Sequence, residues 1–191
     1  MAARRLGVFG GTFDPPHHGH LIAATGAHEA LRLDRLILVP AADPPHKQGR
    51  VGATAEQRLS MIRAAVAGDP RLEVDDRELR RQGPSYTVDT LRELRANLPE
   101  DEIFFLLGSD QFAALDHWHE PQEVVRLATL GVFARGEETS PLDGPYPGMH
   151  VPIRRIDISG TEIRRRCAAG LSIRYYVPEA VREIIEGERI Y

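Results

Sequence analysis

The sequence predicts an α/β fold, an open parallel sheet with helices on both faces. Short apolar runs rich in β-branched or aromatic residues alternate with segments of helical spacing, which is the pattern of βαβ units. The runs are continuously apolar, as suits strands covered on both sides. Helix-start signals stand at several boundaries, with Thr54 followed by Gln57 and Ser159 followed by Glu162.

In chain order, residues 6–9 (LGVF) predict the first strand and residues 20–32 (HLIAATGAHEALR) the first helix. Residues 36–39 (LILV) give the second strand, and residues 55–67 (AEQRLSMIRAAVA) a helix opened by the Thr54 cap. Residues 88–98 (VDTLRELRANL) read as a helix, 103–107 (IFFLL) as a strand, 121–128 (PQEVVRLA) as a helix and 130–133 (LGVF) as a strand. Residues 135–150, rich in Pro and Gly without periodicity, predict a surface loop, and 151–158 (VPIRRIDI) a last strand. Ser159 then caps a short basic helix, and residues 175–185 predict a final amphipathic helix with Pro178 in its first turn.

The chain of 191 residues is long enough for a full core. We expect a single domain over 1–191, with residues 170–191 as a helical extension. A hydrophobic share of 42% and a charged share of 27% are those of an ordinary globular protein. With 24 basic against 28 acidic residues, the net charge of -4 argues against a general nucleic-acid or membrane-surface binder, so any basic site must be local. No apolar run approaches the roughly 20 residues needed to span a bilayer. The lone Cys167 has no internal disulfide partner, and a cytoplasmic location is expected.

Residues 7–21, GVFGGTFDPPHHGHL, hold the densest chemistry. Gly10 and Gly11 let a ligand approach the backbone, Pro15 and Pro16 stiffen the loop, and a helix beginning near 17–19 aims its N–H groups and positive dipole end at the same space. His17 and His20, three apart, face one ligand. The composition fits a phosphate site better than a plain turn with surface histidines or a metal site of Asp14, His17 and His20, for which no complementary cluster stands elsewhere. Neither the dinucleotide fingerprint nor the P-loop spacing is present. Residues 158–166, ISGTEIRRR, supply a second anion clamp: a helix start with the Ser159 and Thr161 hydroxyls, and Arg164 one turn further in.

Together these motifs resemble the HxGH nucleotidylyltransferase superfamily: residues 17–20 read HHGH after GGTFDPP, and ISGTEIR is similar to its second signature. Gly160 departs from the commonest pattern, which has a second Ser there. Residues 40–47 (PAADPPHK), 83–91 (GPSYTVDTL), 107–120 (LGSDQFAALDHWHE) and 175–185 (YYVPEAVREII) further resemble the bacterial nicotinate-nucleotide adenylyltransferases within that superfamily.

The resemblance implies a Rossmann-like fold and transfer of the adenylyl group of ATP to nicotinate mononucleotide, giving deamido-NAD and pyrophosphate in NAD biosynthesis. It implies that His17, His20, Arg164 and Lys47 serve the transfer, His20 at the α-phosphoryl and Arg164, with Ser159 and Thr161, at the departing phosphates. ATP would also meet Gly10, Gly11, Thr12, Phe13, Gly108, Asp110 and Ile158. The nicotinate nucleotide would meet Thr12, Lys47, Ser85, Tyr86, Thr87, Trp118 and Arg135, with Trp118 stacked on the pyridine ring. Mg2+ would bridge the phosphates through substrate oxygens and water, without a dedicated protein cage. Bland roles stand beside these: Trp118 as core, Asp110 as a helix cap, Lys47 as a solvated lysine. Rival readings are a sister transferase for phosphopantetheine, a dinucleotide-dependent dehydrogenase, a nucleotide sensor and a metal-dependent hydrolase.

Overall fold

A computed structural model describes residues 3–43, 51–135, 142, 144–154 and 156–191, with backbone alone at 134 and 135. Six parallel strands form one sheet: β1 (Arg5–Gly11), β2 (Arg35–Pro40), β3 (Leu72–Val74), β4 (Glu102–Gly108), β5 (Thr129–Arg135) and β6 (Met149–Ile153), in the order β3-β2-β1-β4-β5-β6. The chain winds outward from β1 to β3, then crosses back to place β4 on the other side of β1. The switch point therefore lies between the carboxyl ends of β1 and β4, the place where open α/β sheets bind ligands.

The pleat sorts side chains onto two faces. Leu6, Val8, Ile37, Val39, Ile103, Phe105, Leu107, Leu130 and Val132 share one apolar layer, with Val88, Leu91 and Leu94 of helix α4 (Thr87–Asn97) and Val124 and Leu127 of α6 (Pro121–Leu127). Phe9, Leu36, Leu38, Phe104, Leu106, Phe133 and Val151 face the other layer, covered by the alanines of α1 (His18–Ala30) and Ile62 and Val66 of α2 (Ala55–Val66). A third cluster joins Met61 of α2 to Ile163 of α7 (Gly160–Ala168) and to Val181 and Ile185 of α8 (Glu179–Glu188). Two short helices, α3 (Arg77–Arg80) and α5 (Ser109–Ala113), and a 3-10 turn at Leu115–His117 complete the described elements.

Several expectations need correction. Strand β3 went unread because it has three residues, one of them Glu73, and rests on β2 alone at the sheet edge. The last strand runs 149–153 and not 151–158: its ladder with β5 ends where Arg135 pairs with Ile153, and residues 154 and 156–158 join no strand. Its first two residues come from the stretch expected to be loop. Pro178 stands at the N-cap of α8, one position before the first turn. Thr54 and Gln57 form the expected reciprocal cap.

Candidate active site

The loop after β1 turns sharply. Phe13 has φ 49, a left-handed conformation that costs a non-glycine residue roughly 1–3 kcal/mol. Burial of its ring, edge-on to Phe9 and to His20, holds it there. The Asp14–Pro15 peptide comes next and is cis. His17 then caps α1, its backbone N–H donating to His20 Nδ1 at 3.2 Å, and the two imidazoles stack with centroids 3.7 Å apart. Because Nδ1 of His20 accepts, its proton sits on Nε2, which makes that edge a donor. Burial, aided by the neighbouring His18, lowers the His17 pKa to about 4, so this ring is neutral at physiological pH. The first N–H of α1, on His18, is taken by the Tyr176 carbonyl at 3.1 Å, so the chain itself uses part of the helix N-terminus expected to face a ligand.

Asp14 ties this loop to the second motif. Its buried carboxylate accepts from Gly52 N–H at 2.8 Å, Ala53 N–H at 3.0 Å and the Tyr191 hydroxyl at 2.7 Å, and lies 3.3 Å from the Arg164 guanidinium. Arg164 also donates to the Asp14 carbonyl at 2.6 Å and to Thr161 Oγ1 at 3.3 Å. Ser159 Oγ caps α7 by accepting the Glu162 N–H. The close approach of the Asp14 loop explains Gly160: a Cβ there would fall 2.6 Å from the Asp14 carbonyl oxygen, inside any tolerated approach, so a second Ser would push α7 off the loop. The expected hydroxyl is exchanged for proximity. Ile158 borders the same space, its carbonyl 3.8 Å from where a Cβ on Gly19 would stand.

Gly10, Gly11, Thr12 and Phe13 run from the end of β1, beside Gly108 at the end of β4. Asp110 lies in the first turn of α5, whose N-cap is Gly108, so Asp110 is not the cap; its Oδ1 folds back to 2.7 Å from where a Gly108 Cβ would be. Arg135 ends β5 on the same carboxyl edge, and nothing of its side chain is described. Lys47 lies outside the described residues.

The region expected to receive the nicotinate nucleotide is built differently. Tyr86 is the N-cap of α4 and Thr87 its first residue, so Thr87 belongs to the helix instead of preceding it. Ser85 Oγ accepts from Ala42 N–H at 3.0 Å and Asp43 N–H at 3.3 Å, and its N–H donates to the Asp43 carbonyl. Beneath it lies Glu78, which touches the Ser85 hydroxyl and accepts from Thr90 Oγ1 at 2.6 Å; burial pushes its carboxyl above the usual range. The Tyr86 ring stacks on His119 at 4.3 Å, and Trp118 packs edge-on to Phe105 at 6.1 Å, partly buried against the same core layer. Trp118 thus contributes to the core.

Three participants went unread in the sequence. Arg58 of α2, 2% exposed, donates to the carbonyls of Thr12 at 2.8 Å, Ala41 at 2.6 Å and Ala42 at 3.1 Å. Its signal was an arginine in register with the buried Met61 and Ile62. Glu78 and Tyr191 carried no local signal. Among the described residues, no group of three or more His, Cys, Asp or Glu could hold a metal ion, and no helix is long and apolar enough to cross a membrane. A groove at the opposite, amino edge of the sheet is bordered by Arg95, but that guanidinium is spent on the carbonyls of Pro99, Asp101 and Leu127.

Residues 8–166 match the cytidylyltransferase-like family. A protein of Thermus thermophilus described as a probable nicotinate-nucleotide adenylyltransferase is 48% identical over 188 residues, covering 98% of this chain and 99% of its own. One of Geobacillus thermodenitrificans with the same description is 44% identical, covering 98% and 86%. A solved structure of the Plasmodium falciparum nicotinic acid mononucleotide adenylyltransferase complexed with NaAD shares the fold, with a TM-score of 0.81 at 18% identity over 98% of this chain and 97% of that one. The Rossmann-like architecture and these relatives agree with the two motifs that Asp14 joins: the chain belongs to the cytidylyltransferase-like family and, within it, to the nicotinate-nucleotide adenylyltransferases.

Proposed function

We propose that this chain transfers the adenylyl group of ATP to nicotinate mononucleotide, forming nicotinate adenine dinucleotide and pyrophosphate. The observation that carries the reading is the meeting of the HHGH and ISGTEIR segments at Asp14, which sets a stacked histidine pair and an oriented guanidinium on one edge of the sheet. Curated relatives at 41–48% identity bear the matching description.

The acceptor phosphate is already an anionic nucleophile. Its oxygen forms a bond to the α-phosphorus as the bond to the bridging oxygen of pyrophosphate breaks, so no protein base is needed. In-line alignment and charge neutralisation are what the protein must supply. His20 donates from Nε2 to the α-phosphoryl oxygens, and neutral His17 supports it without adding charge. Arg164, steadied by Asp14 and Thr161 beside the Ser159 cap, meets the departing phosphates, and Lys47 adds charge. Gly10, Gly11, Thr12, Phe13 and Ile158 border the polyphosphate, with Gly108 and Asp110 toward the ribose. The Asp14 carboxylate is committed to its donors, so Mg2+ would be held by phosphate oxygens and water, where it neutralises charge.

For the acceptor, the α4 start at Thr87 offers backbone N–H to the nicotinate carboxylate, Tyr86 borders it with its own N–H taken by the Pro84 carbonyl at 3.0 Å, Trp118 lies beside the pyridine, and Thr12 and Arg135 border the nucleotide. Ser85 contributes through the loop that its hydroxyl ties down. A cytoplasmic location belongs to the same reading. The test is pyrophosphate release by purified protein with ATP and magnesium, comparing nicotinate mononucleotide, its nicotinamide counterpart and phosphopantetheine. Release with the nicotinate acceptor is expected; release with phosphopantetheine alone would reassign the acceptor, and none with any would leave a nucleotide sensor.

A further inference from the structure

The two halves of the site stand on different loops, and one buried side chain joins them. Arg58 lies under the carboxyl edge of the sheet with a forked donor set that no single carbonyl exhausts. Nη1 holds Thr12 O, which belongs to the phosphate-side loop, and also Ala41 O; Nη2 holds Ala42 O, in the segment after β2. That second segment turns its N–H groups the other way: Ala42 and Asp43 donate to Ser85 Oγ at the start of α4, and Asp43 O accepts the Ser85 N–H. Glu78 and Thr90 close the far end, with Thr90 Oγ1 2.6 Å from the Glu78 carboxylate. The hydrogen bonds are therefore continuous from Thr12 to α4, across residues distant in sequence.

We infer that Arg58 is a positioning residue for adenylyl transfer, fixing the separation between the phosphate-side loop at Thr12 and the acceptor-side loop at Ser85 by holding Thr12 to the segment at residues 41–43, to which Ser85 is itself bonded. This rests on the proposed reaction. An in-line displacement between two separately bound substrates depends on their relative placement, and an error of about 1 Å can cost on the order of 100-fold in rate. Each substrate keeps its own contacts when the tie is cut. The loss must then fall on turnover and spare binding.

The substitution Arg58→Lys keeps the charge and removes the fork. The expected result is a kcat lower by about 10- to 100-fold. The dissociation constants of a non-hydrolysable ATP analogue and of nicotinate mononucleotide, each titrated alone by calorimetry, are expected to stay within about threefold, with unchanged stoichiometry. Stoichiometry counts the competent molecules, which separates lost alignment from lost folded protein. Ser85→Ala cuts the other end of the tie and decides the matter if the lysine variant does not fold; the same split is expected with a smaller fall. In the double variant the losses should combine to less than their product. Unchanged kcat, or a fall matched by weakened binding of either substrate, overturns the inference. Wild-type protein that releases no pyrophosphate with nicotinate mononucleotide overturns the proposed reaction instead.

Discussion

Arginines and carboxylates meet in two settings in this molecule, and the settings assign them different work. On the outside, Arg92 of α4 reaches Glu120 at 2.5 Å and lies near Asp89 and Glu123, all well exposed or at the rim. Inside, Asp14 gathers Arg164, Tyr191 and two backbone N–H groups, while Arg58 is surrounded by carbonyls. The Arg92–Glu120 pair is shorter than the 3.3 Å separation of Asp14 and Arg164, but the outer charges stay in water, which screens them and offers each ion a substitute partner. The buried Asp14 carboxylate and Arg58 have none. What a charge contributes is decided by what replaces its partner, not by the distance.

The largest expected effect tests the inner setting directly. Asp14→Ala takes the carboxylate from beside Arg164 and leaves the Tyr191 hydroxyl and two N–H groups without their acceptor, and unfolding in urea should show a loss of about 3–5 kcal/mol. A change below about 1 kcal/mol would put Asp14 on a par with the surface pairs. His17 probes the same interior through pH. Its folded pKa of about 4 lies below the unfolded value of 6.5, so between them the unfolded chain binds a proton that the folded one refuses. Stability is complete above about 6.5 and falls as pH drops toward 4, by about 3 kcal/mol in all. Melting curves from pH 7 to 4 should be flatter for His17→Asn than for the parent.

Turnover supplies the next contrast. His20→Ala should lower kcat by at least about 100-fold in a protein that still folds, the usual loss for one transition-state donor. A near-normal rate would remove His20 from the transfer. Nicotinate mononucleotide should exceed its nicotinamide counterpart in kcat/KM by about 30-fold or more, because helix-start N–H groups favour a carboxylate over a neutral carboxamide. Equal efficiency would place recognition elsewhere. The smallest effect belongs to the surface: Arg92→Gln should move Tm by no more than about 2 °C, and raising salt should shrink even that.

How far the sequence revealed these features depends on the range over which each is determined. The strand and helix alternation, the Thr54 cap and the Ser159 cap are set within a few residues, and the parallel sheet could be read from them. The HHGH loop and the basic start of α7 predict an anion site by composition. Arg58, Glu78 and Tyr191 act through partners 7 to 177 positions away, so no periodicity or local motif shows what they touch. Gly160 is the intermediate case. It was visible as a departure from a pattern, but its reason, the Asp14 carbonyl pressed against it, exists only once two segments from opposite ends of the chain have met.

The Asp14 junction also bears on the order of folding. Its contacts span 38, 39, 150 and 177 residues. Closing the 150- and 177-residue loops to Arg164 and Tyr191 costs more entropy than bringing β4 beside β1, where Leu6 pairs with Ile103, so these two contacts are expected to form after the sheet. A chain trapped with its sheet assembled but α7 and α8 undocked would have native-like secondary structure and no guanidinium at the phosphate edge. ATP would thus select only chains that have finished folding, and its addition should slow proteolytic cutting near residues 156–191 more than cutting within the sheet.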